Sequence, residues 1–157
     1  DGDDTVTLEV DGPTGLGCRV VGSDWVLTCP FIDPVAQEWG GTMRRELSSA
    51  GFEYQRDGER AVEYLVDGVQ VRAQVHGGRH PVCRLSAVVA RDVSNSDFLL
   101  GELNDWNMSH AGMKFWWETG RVIAVIDLDS RHMADLYGES GRLAAAVTRL
   151  AAPTAAI

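Results

Sequence analysis

SNSDFLLGELNDWNMSHAGMKFWWETGRVIAVIDL, residues 94–128, reads as one amphipathic helix running straight into one β-hairpin. Leu99, Leu100, Leu103 and Trp106 recur at helical spacing, with Glu102, Asp105 and Ser109 opposite. Ser94, with Asp97 three residues on, has the side chains of a helix start, and Gly112 is the stop. Asn104 and Asn107 sit at the edge of the apolar stripe, three apart and so neighbours on the helix surface. Asn is a poor helix former, so the pair needs a reason. The favoured one is that their amides tie down backbone groups of an adjoining strand or loop; the sharper one is a polar ligand contact.

The hairpin strands MKFWWE and RVIAVIDL flank Thr119-Gly120, which suits a two-residue turn. That loop length sets Phe115 opposite Ala124 and Trp117 opposite Val122 on one face. Lys114, Trp116 and Glu118 then meet Val125, Ile123 and Arg121 on the other. The second strand is apolar on both faces, so it is expected inside a sheet and covered on each side. Trp116, Ile123 and Val125 make an apolar group pointing away from Phe115 and Trp117. Its cover comes from the N-terminal strands or from a partner or second subunit, and aromatics are enriched in such interfaces.

A chain of 157 residues, 45% apolar and 24% charged, is large enough for one domain with its own core. The net charge of −9, with Lys114 the only lysine, argues against nucleic-acid backbones and anionic membrane surfaces. No apolar run approaches membrane-spanning length, and a start at Asp1 is compatible with a removed leader. Cys18, Cys29 and Cys83 are too few for a disulfide framework. They read as reduced thiols suited to a cytoplasm, with one Cys18–Cys29 bridge as the minority alternative.

Outward from the centre, Thr5–Val10, Leu16–Val21 and Trp25–Cys29 read as an N-terminal β meander over residues 1–32. Asp33-Pro34 opens a helix on which Val35, Trp39, Met43 and Leu47 recur. Gly40-Gly41 weakens it by about 1 kcal/mol per glycine, so it is expected to bend there or to start in earnest at Thr42. Phe52–Arg56 is a short strand. AVEYLV and VQVRAQV flank Asp67-Gly68, a type I′ turn that puts Val62, Tyr64, Val66, Val69, Val71 and Ala73 on one face. Glu63 falls opposite Arg72 on the other. Cys83, Leu85, Ala87 and Val89 are the inward set of the next strand. Ser130 is expected to cap a last helix with Met133, Leu136, Tyr137, Leu143, Ala144, Val147 and Leu150 in its stripe.

Two clusters hold metal-type donors. His76, His80 and Cys83 fall short of four closely spaced ligands, and a turn followed by a core cysteine explains them as well. Asp127, Asp129 and His132 stand at a strand end, where Asp129 is better explained as a helix start. No phosphate-binding glycine loop, nucleophile elbow or HExxH occurs.

The order helix, strands, helix, hairpin, helix over residues 33–150, with LLGELNDWN running into MKFWWETGRVIAVIDL, resembles the YbjN family and its wider relatives, the type III secretion (Tir-type) chaperones. The resemblance implies an α+β fold, a twisted antiparallel sheet packed by helices, often dimeric, with no catalytic centre and a role in holding another protein. The N-terminal meander is extra to it. The expectation is therefore a single cytoplasmic domain that is not an enzyme and binds a protein partner or a second copy. It needs no cofactor or metal and meets neither nucleic acid nor membrane. Trp116, Ile123 and Val125 are the contact residues, with Asn104 and Asn107 as polar contacts. The alternatives are a small-molecule sensor with a pocket beside Asn104 and Asn107, and a metal-dependent enzyme.

Overall fold

The computed structural model describes residues 17–21, 24–28 and 34–151. The chain divides into two compact units, residues 1–33 and residues 34–157. In the first, β1 (Gly17–Val21) and β2 (Asp24–Thr28) pair antiparallel, with Cys18 opposite Leu27. The expected strand Thr5–Val10 and the Cys18–Cys29 alternative lie outside the described residues.

In the second unit the elements run α1 (Pro34–Ser49), β3 (Tyr54–Asp57), β4 (Ala61–Val66), β5 (Val69–His76), β6 (Val82–Ala90), α2 (Asp97–Ser109), β7 (Lys114–Glu118), β8 (Arg121–Leu128) and α3 (Leu136–Ala151). This is the expected helix–strands–helix–hairpin–helix order, and the fold is α+β. Six strands form one antiparallel sheet in the order β3-β4-β5-β6-β8-β7. The sequence break between β6 and β8 exists because α2 carries the chain to the sheet edge, where β7 is laid down before β8 returns to pair with β6.

Both tight turns set their registers. Asp67 and Gly68 have φ of 48° and 81°, Thr119 and Gly120 of 49° and 78°, the double positive of type I′ turns. Glu63 consequently meets Arg72, and Trp116 meets Ile123. Alternation along these strands sends Val62, Tyr64, Val71, Ala73, Cys83, Leu85, Phe115 and Ala124 to one face, where Met43 and Leu47 of α1 and Leu136, Leu143 and Val147 of α3 complete the core. β8 is an inner strand, between β6 and β7.

Four local expectations are corrected. The α2 cap is Ser96, whose Oγ accepts the Leu99 N–H at 3.1 Å; Ser94 lies too far upstream to reach that turn. Leu100 is exposed, so the inward stripe of α2 is Leu99, Leu103 and Trp106. The last helix is split: Asp129 caps a short 3₁₀ segment, Ser130–Asp135, and α3 starts at Leu136, which leaves Tyr137 63% exposed. α1 runs unbroken through Gly40-Gly41, because Gly40 faces the β3–β4 turn and lets it approach.

Candidate functional site

The helices cover one face of the six-stranded sheet. On the opposite face Arg84 of β6 pairs with Asp127 of β8, and two further rows span β6, β8 and β7: Ser86, Val125 and Lys114; Val88, Ile123 and Trp116. Arg84 grips Asp127 with two bonds, Nε to Oδ1 at 2.8 Å and a terminal nitrogen to Oδ2 at 3.0 Å. That guanidinium holds the Asp127 carboxyl below its usual range and lies 6.0 Å from the centre of the Trp116 ring.

Beyond these rows the sheet opens. The last β5–β6 pair is Arg72–Ser86, although β5 begins at Val69 and β6 runs on to Ala90. The unpaired ends border a cleft of about 540 Å³, large enough for several side chains. The β6–β8 register shift between Val88 and Ala90 lies at the same end. Val69, Val88, Ile123 and, from α3, Val147 supply its apolar lining, and Arg72, Arg91 and Arg121 its charge, with Glu63 the carboxylate among them. Arg72 bonds to Asp57 at 2.6 Å and to Glu63 at 3.3 Å. Arg91 and Arg121 have no ion-pair partner among the described residues, although Arg121 faces Glu118 in register.

Trp116 and Ile123 are cross-strand neighbours, each half-buried, and Ile123 lines the cleft. Val125 is only 1% exposed, so it is a floor residue rather than a contact surface. It sits on an inner strand with a neighbour on each side, Ser86 and Lys114. The asparagines part company. Asn107 accepts the Phe115 N–H at 2.7 Å and donates to the Phe115 carbonyl at 3.0 Å, so its amide ties down β7. Asn104 is exposed and reaches only Met108 Sδ, at 3.9 Å. They do not converge on a ligand pocket.

The donor clusters are drawn apart in the same way. Cys83 is in the core against Met43, where burial pushes its thiol up to about 12, whereas His76 and His80 are exposed. Asp129 caps the 3₁₀ segment through the Arg131 N–H and also bonds the Arg131 and His132 side chains, which hold its carboxyl down to about 2. No group of three or more metal-type side chains converges among the described residues.

Sequence reading missed Val88, Arg91 and Arg121. Val88 carried a signal. In Val82–Ala90 the outward set alternates Arg84, Ser86, Val88, so an aliphatic residue stands where a polar one is expected. Leu65, 65% exposed on the same face, breaks the pattern of β4 likewise.

Among solved structures, a chain of the HopA1–SchA chaperone–effector complex is similar to this one. The TM-score is 0.56 at 10% identity, over 77% of this chain and 95% of that chain. At that identity the likeness establishes the fold alone. No curated protein matches the sequence. The model of the TY-Chap1 family, described as T3SS (YopN, CesT) and YbjN peptide-binding chaperone 1, matches residues 41–152, and the chain belongs to this family. No described helix is long and apolar enough to cross a membrane.

Proposed function

We propose that this protein acts in the cytoplasm and holds an extended segment of another polypeptide on the sheet face opposite the helices, without catalysing a reaction. The observation that carries the reading is the apolar run of Val88, Ile123 and Trp116, which crosses three strands and ends in an open cleft. Strand geometry suits an extended guest, whose alternate side chains project toward such a surface. Membership of a peptide-binding chaperone family supports it. The groups that suggested chemistry are otherwise engaged: Asp127 by Arg84, Asp129 by its cap and Cys83 by the core.

The test is binding to an overlapping library of extended peptides, read by fluorescence anisotropy. Ile123→Glu and Trp116→Ala should each weaken binding about tenfold or more while leaving the circular dichroism spectrum intact. Retained affinity in both variants would remove the sheet face from the function, and loss of the fold in Trp116→Ala would make Trp116 a core residue.

A second copy of the chain is the other partner supported by a specific feature. Phe98, in the first turn of α2, and Met108, in its last, are 78% and 79% exposed, which leaves two large apolar side chains of one helix free for contact. Sedimentation should give a dimer that Met108→Glu converts to a monomer; a monomer at all concentrations would exclude this pairing.

A further inference from the structure

The cleft has a charge opposite to that of the molecule around it, and this bears on which segments the sheet face accepts. The chain carries 23 acidic and 14 basic residues, yet three arginines and a single carboxylate border this opening. Two of those arginines are held in place without a counter-charge. The loop after β6 is fastened to the β7–β8 hairpin at two points: the Val93 N–H donates to the Gly120 carbonyl at 2.9 Å, and the Trp117 indole N–H to the Val93 carbonyl at 2.7 Å. Asp92, at φ 57°, turns the backbone between Arg91 and Val93. Arg91 and Arg121 therefore rise from a braced backbone on the rim of one cleft, with no carboxylate within ion-pair distance among the described residues. Neither charge has a counter-ion among the described residues, and a carboxylate bound at this rim would supply one while accepting charge-assisted hydrogen bonds. Beside them, Val69, Val88, Ile123 and Val147 offer an apolar recess.

The geometry points to an acidic peptide as the occupant: an extended segment that seats an aliphatic or aromatic side chain among Val88, Ile123 and Val147 and lays a following glutamate or aspartate between Arg91 and Arg121. This rests on the reading of the sheet face as a peptide-binding surface and adds its specificity. The chain as a whole, at a net −9, turns acidic segments away, so an acidic guest is accepted only where its charge registers with this cleft. A nucleic-acid strand would meet the same two arginines, but its continuous phosphates would be repelled by that net charge.

Two synthetic peptides that differ only after a shared apolar anchor, one with two glutamates and one with two glutamines, decide the matter with the full chain. The glutamate peptide should bind about tenfold tighter at low salt, and raised salt should shrink the difference. Arg91→Gln with Arg121→Gln, both surface changes, should erase the difference without abolishing binding of the glutamine peptide. Arg91→Glu with Arg121→Glu should reverse the preference toward a lysine peptide. Equal affinity of the two peptides for the unaltered protein overturns the acidic specificity and leaves the peptide-binding function standing. Failure of both to bind overturns the two together. An oligonucleotide that binds as tightly as the glutamate peptide, and loses affinity in the glutamine double variant, would assign the cleft to nucleic acid instead.

Discussion

The Asn107 carboxamide sits against the Phe115 peptide group as a neighbouring strand would, accepting its N–H at 2.7 Å and donating to its carbonyl at 3.0 Å. β7 is an edge strand, and edges with free backbone groups invite pairing with other chains. One helical side chain thus closes the edge at Phe115, and α2 is positioned beside β7 to supply it. Asn107→Ala should cost about 2 kcal/mol, because two part-buried bonds are lost and a backbone pair is left unmet. It should also raise concentration-dependent aggregation. Asn104→Ala, which loses only a long contact to Met108, should stay within about 0.5 kcal/mol. Equal effects in urea titrations of the two variants would show that the edge is not sealed by Asn107.

The buried hydroxyls of Tyr64 and Ser140 form a relay between the sheet and α3. Ser140 Oγ donates its one hydrogen to the Leu136 carbonyl at 2.6 Å, so in the 2.6 Å contact with Tyr64 the phenol is the donor. The two substitutions are consequently unequal. Tyr64→Phe leaves Ser140 with its donor bond satisfied and should cost about 1 kcal/mol. Ser140→Ala strands a buried phenol and should cost about 2 kcal/mol or more. Chemical denaturation of both settles the order, and a larger loss in Tyr64→Phe would mean that the hydrogens run the other way.

Adjacent glycines in α1 answer to different causes. A Cβ at Gly40 would stand 2.5 Å from the Glu59 carbonyl oxygen, which already accepts from Arg44 at 3.0 Å. Gly41 has nothing nearer than an Arg45 guanidinium nitrogen at 3.7 Å. Gly40→Ala should therefore destabilise by about 2 kcal/mol through displacement of the β3–β4 turn. Gly41→Ala should stabilise by about 1 kcal/mol, the ordinary gain from replacing glycine inside a helix. Melting temperatures shifted the same way by both would contradict the close approach.

These cases mark what the sequence could and could not disclose. The registers of both tight-turn hairpins were legible, because Asp67-Gly68 and Thr119-Gly120 each enforce one turn geometry and so one set of partners. Caps were less so: Ser94 and Ser96 both offer a hydroxyl near the same apolar stripe, and only the path of the preceding chain selects between them. That Gly40 has a neighbour was not legible, since Glu59 arrives from a turn nineteen residues away. The cleft was hidden for the same reason. It depends on where β5 and β6 cease to pair and on a brace between Val93 and Gly120, neither of which any local pattern encodes. Trp116 and Ile123 could be assigned to the face opposite the helices from period-two alternation, but the burial of Val125 on that face depends on its surroundings in the folded chain.

Alkaline conditions should unfold this protein sooner than its acidic composition suggests. Burial pushes the Cys83 thiol from its ordinary value of 9.0 up to about 12, with Asp127 adding to the shift, and burial also raises the Tyr64 phenol well above 10.0. Both groups keep their protons when folded and release them when unfolded. The folded state thus binds more protons above about pH 9, and stability must fall as pH rises. The contribution is intact below pH 9.0, where neither state ionises, and declines first through the thiol and then, above 10.0, through the phenol as well. The expected loss is on the order of 3 kcal/mol between about pH 8 and 11. In urea titrations across that range, Cys83→Ala, although less stable overall through its small cavity, should lose the part of the decline that begins near pH 9 and keep the part above 10. An unchanged slope in Cys83→Ala would show that the thiol is not held protonated by the core.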